Sequence, residues 1–197
     1  MSFYSFAKGL MFFLLKLLYK IEVNGIENIP NKGKGIICSN HISLLDPIVV
    51  AIATPRKINF MAKKELFNNS LLRFLLNKLG AFPVDRKGTS LSAVKSSLKV
   101  LKQDSLLGIF PEGTRVRIEN IENAKPGISM ISIKSKSPII PIYIQTNYRI
   151  FSKITVHIGH PIEFSDYYRE KLTTEDYKNL SKNVMKEIYS LKSNNQP

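Results

Sequence analysis

The sequence predicts an α/β protein: a layered domain with a mixed, mainly parallel sheet flanked by helices, and an amphipathic helix ahead of it. Two observations lead there. Short apolar runs of strand length alternate with segments whose apolar residues recur every three or four positions. The composition, 44% hydrophobic and 22% charged over 197 residues, is that of a globular chain long enough to bury a sizeable core. The single Cys38 excludes a disulfide framework and a Cys-rich zinc site, and three histidines leave little room for any transition metal. There is no internal repeat and no low-complexity linker.

Taken in order, the first 20 residues read as the amphipathic helix. Their longest stretch without a polar side chain, Gly9 to Leu15, is bounded by Lys8 and Lys16. That falls short of the roughly 20 apolar residues a transmembrane helix needs. No small-residue cleavage site follows, so a secretory signal fits poorly. Lys8, Lys16 and Lys20 fall on one side at near whole-turn spacings, and Phe3, Phe6, Phe13, Leu14, Leu17 and Leu18 fill much of the rest. This predicts a membrane-associating helix lying in the interface, lysines toward the headgroups. A helix packed on the core is the competing reading. Residues 21–197 are expected to form a single domain.

Ile36 to Ser39 is an apolar strand after the Asn31 to Gly35 turn. Leu45 to Ala53 reads as a helix with Asp46 and Pro47 in its first turn. Ile58 to Met61 is a strand, Leu66 to Leu79 a helix, and Ala81 to Val84 a short strand. Thr89 to Lys102 carries Leu91, Val94, Leu98 and Leu101 at helical spacing. Leu106 to Phe110 is a buried strand, and Ile128 to Lys134 a helix after Pro126-Gly127. Ile139 to Gln145 is a strand whose prolines, Pro138 and Pro141, predict a sheet edge or the start of a strand. Ile154 to Ile158 alternates as a strand does. A last helix bears Tyr177, Leu180, Val184, Ile188 and Leu191, opened by Thr173 with Asp176 three residues on.

The chain carries 29 Lys plus Arg against 15 Asp plus Glu, a net charge of +14. Residues 51–100 hold ten basic and two acidic side chains, more than half of that excess. A concentrated positive charge attracts polyanions: nucleic acid, an anionic membrane surface or a phosphorylated substrate.

Two segments carry chemistry. In Asn40-His41-Ile42-Ser43-Leu44-Leu45-Asp46-Pro47, His41 is a candidate general base and Asp46 its candidate partner. On one regular helix the two would point roughly 140° apart. They meet only if His41 lies in the turn leaving a strand and Asp46 in the first helical turn. The plain alternative is a loop histidine and an N-cap aspartate. In Phe110-Pro111-Glu112-Gly113-Thr114-Arg115, a turn after a strand offers backbone N–H groups, a hydroxyl and a planar cation to a phosphate. Glu112 could accept a hydrogen bond from a substrate hydroxyl or hold Arg115; an ordinary turn with a surface ion pair is the alternative. Arg86 could add a second phosphate contact.

These segments, with Val84-Asp85-Arg86 and Pro138 to Tyr143, occur in the order and spacing of the bacterial lysophosphatidic acid acyltransferases, of the glycerolipid acyltransferase superfamily. The chain resembles that family from about residue 10 to 165, and the two complete blocks stand about 70 residues apart. The resemblance implies that His41 takes a proton from a glycerol hydroxyl, oriented by Asp46, and that the oxygen attacks an acyl thioester without an acyl-enzyme. It implies a glycerol phosphate site made by Arg86, Glu112, Gly113, Thr114 and Arg115. Pro138, Ile139, Ile140 and Pro141 would border the acyl region, and Lys64 is a possible oxyanion or phosphate contact. It implies no metal and no bound cofactor. Acyl carrier protein or coenzyme A would bring the acyl group, a lysophospholipid would accept it, and the protein would sit on the cytoplasmic face of the cell membrane.

Three other readings stay open on the residues. The acceptor could be glycerol 3-phosphate or another lysophospholipid. The basic cluster could bind nucleic acid, although only Phe60, Phe67, Phe74 and Phe82 are interleaved with it and no nucleic-acid motif is present. The protein could be a non-catalytic membrane-surface protein.

Overall fold

Apolar runs too short for helices and bounded by turns form the middle layer. The computed structural model describes residues 2–85 and 91–192. Its elements are α1 (Phe3–Leu18), β1 (Lys20–Asn24), β2 (Gly35–Ser39), α2 (Asp46–Ala53), β3 (Ile58–Lys63), α3 (Ser70–Leu79), β4 (Phe82–Val84), α4 (Leu91–Leu101), β5 (Leu106–Ile109), α5 (Gly127–Ser135), β6 (Ile139–Gln145), β7 (Lys153–Ile158) and α6 (Thr174–Ser190).

The strands form a 7-stranded sheet in the order β1-β7-β6-β2-β5-β3-β4. From β6 to β4 every neighbour is parallel; β7 pairs antiparallel with β6 and parallel with β1. The mixed, mainly parallel sheet is the one expected. Cys38 of β2 stands opposite Ile109 of β5 and Pro141 of β6, so the carboxyl ends of the three strands project at one edge of the sheet. In open α/β sheets that edge is where ligands bind.

Central strands covered on both faces read as continuous apolar runs, because alternate side chains serve different layers. Ile36, Cys38, Leu107 and Ile139 share one core with Leu101 of α4, Ile128 and Ile131 of α5, and Val184, Met185 and Ile188 of α6. Ile37, Leu106, Ile140, Ile142 and Ile154 share the other with Leu15 of α1 and Val49 and Val50 of α2. The α6 start is the capping box read from Thr173 and Asp176.

The structure departs from the sequence reading in several places. The helix expected over 66–79 begins later. A 3₁₀ turn holds Lys64–Phe67, and the Asn69 side chain caps α3 by accepting the Leu72 N–H at 3.0 Å. β1 was not expected; its only branched apolar residues, Ile21 and Val23, make a strand because β7 offers a partner in register, Val23 opposite Val156. Thr89, at the expected start of α4, lies outside the described residues.

β6 is not an edge strand: it lies between β7 and β2. Pro141 is tolerated there because its carbonyl accepts the Gly159 N–H at 2.9 Å. The N and C=O of one strand residue point to the same side. The donor that Pro141 lacks therefore faces the end of β7, where only the return bond to Gly159 is missing, and the pairing with β2 on the other side is untouched.

The three lysines of the N-terminal segment do not form one face. Lys8 turns inward and donates to the Thr54 carbonyl at 2.5 Å; Lys20 lies beyond the helix, in β1. α1 serves two surfaces. Leu15 is buried, while Phe6, Phe13 and Leu17 are 55%, 60% and 59% exposed. Among the described residues, no helix is long and apolar enough to cross a membrane.

Candidate active site

β2 ends at Ser39, and the chain turns before α2 begins at Asp46. That turn brings His41 and Asp46 together, which a continuous helix would forbid. His41 Nδ1 lies 2.9 Å from Asp46 Oδ2. The same oxygen accepts the backbone N–H groups of Ile42 at 2.6 Å and Ser43 at 2.7 Å. Oδ1 accepts the Tyr148 hydroxyl at 2.5 Å. Asp46 is fully buried, and a buried carboxylate persists only with donors of this kind around it. With Nδ1 engaged by the carboxylate, Nε2 is the ring nitrogen left for a substrate proton.

The turn is held from both sides. Asn40 pairs with β6 through its amide: Oδ1 accepts the Ile144 N–H at 2.7 Å and Nδ2 donates to the Ile144 carbonyl at 3.1 Å. The Val116 N–H donates to the His41 carbonyl at 2.8 Å, tying this turn to the one after β5. The His41 ring stacks on Phe110, centroids 4.1 Å apart and planes 21° from parallel, and Phe110 lies against Phe60 at 5.9 Å. Gly108 makes room for this column: a Cβ there would come within 2.3 Å of the Phe60 ring. The phenylalanine of the second motif is thus the floor beneath the histidine of the first. Nothing in the spacing of the two motifs signals this contact.

The second motif divides between interior and surface. Glu112 is 2% exposed; its Oε1 accepts the Tyr189 hydroxyl of α6 at 3.3 Å, and its buried Oε2 has no hydrogen-bond partner among the described residues. Gly113 adopts φ of 67°, the left-handed region that favours glycine. Thr114 and Arg115 are exposed, and Arg115 makes no ion pair among the described residues. Glu112 therefore does not hold Arg115, because the two side chains leave the turn in opposite directions.

Burial pushes the Glu112 carboxyl up to about 7, against smaller lowering effects of the Glu112 and His41 backbone N–H groups and the Tyr189 hydroxyl. The ordinary value is 4.5. Between the two values the folded protein holds a proton that the unfolded chain has lost. Stability contributed by the neutral carboxyl is complete below the lower value and is lost as pH rises through the upper one, by up to about 3 kcal/mol. Glu112→Gln should remove that slope. Its melting temperature should match wild type at about pH 5 and exceed it at about pH 8; parallel curves for the two proteins would contradict the assignment.

Glu112 also lines a cleft of about 830 Å³ at this edge of the sheet, with Asn40, Tyr143, Gln145, His157 and Lys192 among its walls. Tyr143 donates to Glu119 at 2.6 Å, and Lys192 reaches the same carboxylate oxygen at 3.1 Å. Pro138, Ile139, Ile140 and Pro141 do not line this cleft. They open β6, with Ile139 and Ile140 absorbed into the two cores, and the cleft meets the strand only from Tyr143 onward. Lys64 is exposed, just past the end of β3 at the same edge, two strands from β2. Arg86 lies outside the described residues. Cys38 is fully buried, and burial pushes its thiol well above the usual range, which removes it as a nucleophile.

Residues 20–145 match the family model described as Acyltransferase. The chain belongs to the acyltransferase family. It is 33% identical over 170 residues to the 1-acyl-sn-glycerol-3-phosphate acyltransferase of Bacillus subtilis (strain 168), a span that covers 83% of this chain and 84% of that protein. It is 31% identical over 198 residues to the protein of the same description from Streptococcus pneumoniae, covering 96% of this chain and 73% of that one. The crystal structure of the 1-acyl-sn-glycerophosphate (LPA) acyltransferase PlsC from Thermotoga maritima superposes with a TM-score of 0.70 at 24% identity, over 96% of this chain and 78% of that chain. At that identity it supports the fold. The chain is an enzyme of this family, and the non-catalytic reading gives way. Asn40, Phe110 and Tyr148, which the acyltransferase motifs gave no role, are the residues the structure adds around His41.

Proposed function

We propose that this acyltransferase moves a fatty acyl group from an acyl thioester to the free hydroxyl of 1-acyl-glycerol 3-phosphate, giving phosphatidic acid. The observation that carries the reading is the His41–Asp46 pair at 2.9 Å, with Nε2 left for the acceptor. The glycerol oxygen attacks the thioester carbonyl as its proton passes to Nε2. Asp46 stabilises the imidazolium that forms. The tetrahedral intermediate then collapses, the carbon–sulfur bond breaks, and the proton returns from Nε2 to the thiolate. The buried position of Cys38 supports direct transfer, with no acyl-enzyme.

The phosphate site is assigned to the turn at Gly113, the Thr114 hydroxyl and the Arg115 guanidinium, joined by Arg86; Thr114 and Arg115, exposed and without a partner among the described residues, support it. Glu112 is assigned to bond a glycerol hydroxyl, and its Oε2, without a partner among the described residues, supports this. The reaction needs no bound cofactor: the thioester of acyl carrier protein or coenzyme A is a co-substrate, and the net charge of +14 suits either acidic donor. The exposed apolar face of α1 supports attachment to an anionic membrane surface, on its cytoplasmic face.

The test is acyl transfer from labelled acyl carrier protein and acyl-coenzyme A to lysophosphatidic acid in mixed micelles. Phosphatidic acid is the expected product, and the ratio of rates identifies the donor. Acylation of glycerol 3-phosphate or another lysophospholipid, with none of lysophosphatidic acid, would reassign the acceptor.

A further inference from the structure

We infer that Tyr148 is a positioning residue of the reaction centre: its hydroxyl holds Asp46, and through Asp46 the His41 ring, from the side opposite the turn that carries them. The inference rests on the acid–base reading of His41 and Asp46.

Three of the four hydrogen bonds to Asp46 come from residues 41–43 and converge on Oδ2. A carboxylate tied through one oxygen can still rotate about its Cβ–Cγ bond. Tyr148, remote in sequence, occupies the other oxygen at 2.5 Å, the length of a hydroxyl bonding to a charged acceptor. With both oxygens held, the plane of the carboxylate is set, and so is the direction in which Oδ2 meets Nδ1. Removing the hydroxyl leaves Oδ1 in the interior with no donor.

Four further observations show that the chain is shaped to deliver this hydroxyl. Tyr148 has φ of 54°, in the left-handed region that a residue with a large side chain rarely adopts. Such strain persists only where surrounding contacts hold it, and it clusters at functional sites. Here the Tyr148 N–H donates to Thr146 Oγ1 at 3.1 Å, and the ring meets Tyr19 edge to face, centroids 6.2 Å apart. Three residues on, the Phe151 N–H donates to the Leu18 carbonyl at 2.7 Å, so the end of α1 fixes the loop. Burial and the Asp46 charge both push the Tyr148 hydroxyl well above the usual tyrosine range, which keeps it a donor.

Tyr148→Phe keeps the ring and removes only the hydroxyl. Its kcat should fall about tenfold, the scale of a misoriented catalytic group, with KM for both substrates within about twofold, since Tyr148 is assigned no substrate contact. The proton NMR signal of the His41 Nδ1–H should be displaced or broadened relative to wild type, while the melting curve stays cooperative. In an Asp46→Asn background the same change should cost far less than tenfold, because the hydroxyl acts through the carboxylate. A kcat within twofold of wild type, a loss expressed only in KM, or an unmoved Nδ1–H signal would each overturn the role. The NMR readout needs no turnover, so it tests the Tyr148–Asp46–His41 geometry even if the acceptor assigned above is wrong.

Discussion

His41→Ala should lower kcat for acyl transfer by about a thousandfold, within the range of a lost general base, with KM for the acceptor changed by no more than a few-fold. The argument is geometric. Asp46 turns toward Nδ1 and leaves Nε2 for the hydroxyl proton. Gly113, Thr114 and Arg115, assigned to the phosphate, lie on another turn, after β5. The fold should survive, because Asp46 keeps the Ile42 and Ser43 N–H groups and the Tyr148 hydroxyl. The cost to stability is the stacking of His41 on Phe110, about 1 kcal/mol, together with the buried hydrogen bond to Asp46, about 1.5–3 kcal/mol. Steady-state transfer with the preferred donor, beside a thermal melt of the same sample, checks both statements. A His41→Ala protein with near-normal kcat would remove the mechanism while leaving the family intact.

Asp46→Asn should cost kcat on the order of a hundredfold or more, for a reason specific to this turn. Two backbone N–H groups point at the Oδ2 position. They donate to an amide oxygen there and repel an amide nitrogen, so the asparagine oxygen still faces His41 Nδ1. The histidine tautomer is therefore kept, and what is lost is the negative charge that stabilises the imidazolium. A hydrogen bond to a charged group exceeds a neutral one by about 1–2 kcal/mol, and the missing charge adds to this as the imidazolium develops. An amide that inverted the tautomer would cost far more, roughly ten-thousandfold. Rates measured with labelled donor, together with the Nδ1–H signal that a retained tautomer preserves, separate the two outcomes.

Much of this site was readable before the fold. The spacing of His41 and Asp46 excluded one continuous helix, and the turn then Asp-Pro order suggested the geometry found. The Phe110 to Arg115 block announced a turn with donors after a buried strand. Both depend on local backbone chemistry: a strand end, an N-terminal helical turn, a left-handed glycine. Where the reading missed, the deciding partner came from elsewhere in the chain. Lys8 looked like a headgroup lysine until Thr54, at the far end of α2, offered it a carbonyl. Pro141 looked like an edge residue until β7 ended beside it. Of the two roles open to Glu112, holding Arg115 falls away, because the interior takes one side chain and solvent the other.

The sequence by itself determined the α/β class, most of the elements and the family, and it named the two residues proposed for the reaction centre. Hydrophobic period, turn chemistry and motif spacing are local or pairwise signals, and they survive in one dimension. Only the tertiary structure decided that Phe110 lies under His41, that Asn40 bolts the turn to Ile144, and that a tyrosine 102 residues beyond Asp46 closes on its second oxygen. The physical reason is that a buried carboxylate must find donors wherever the fold brings them. Which side chain is nearest there depends on strand order and register, not on separation along the chain.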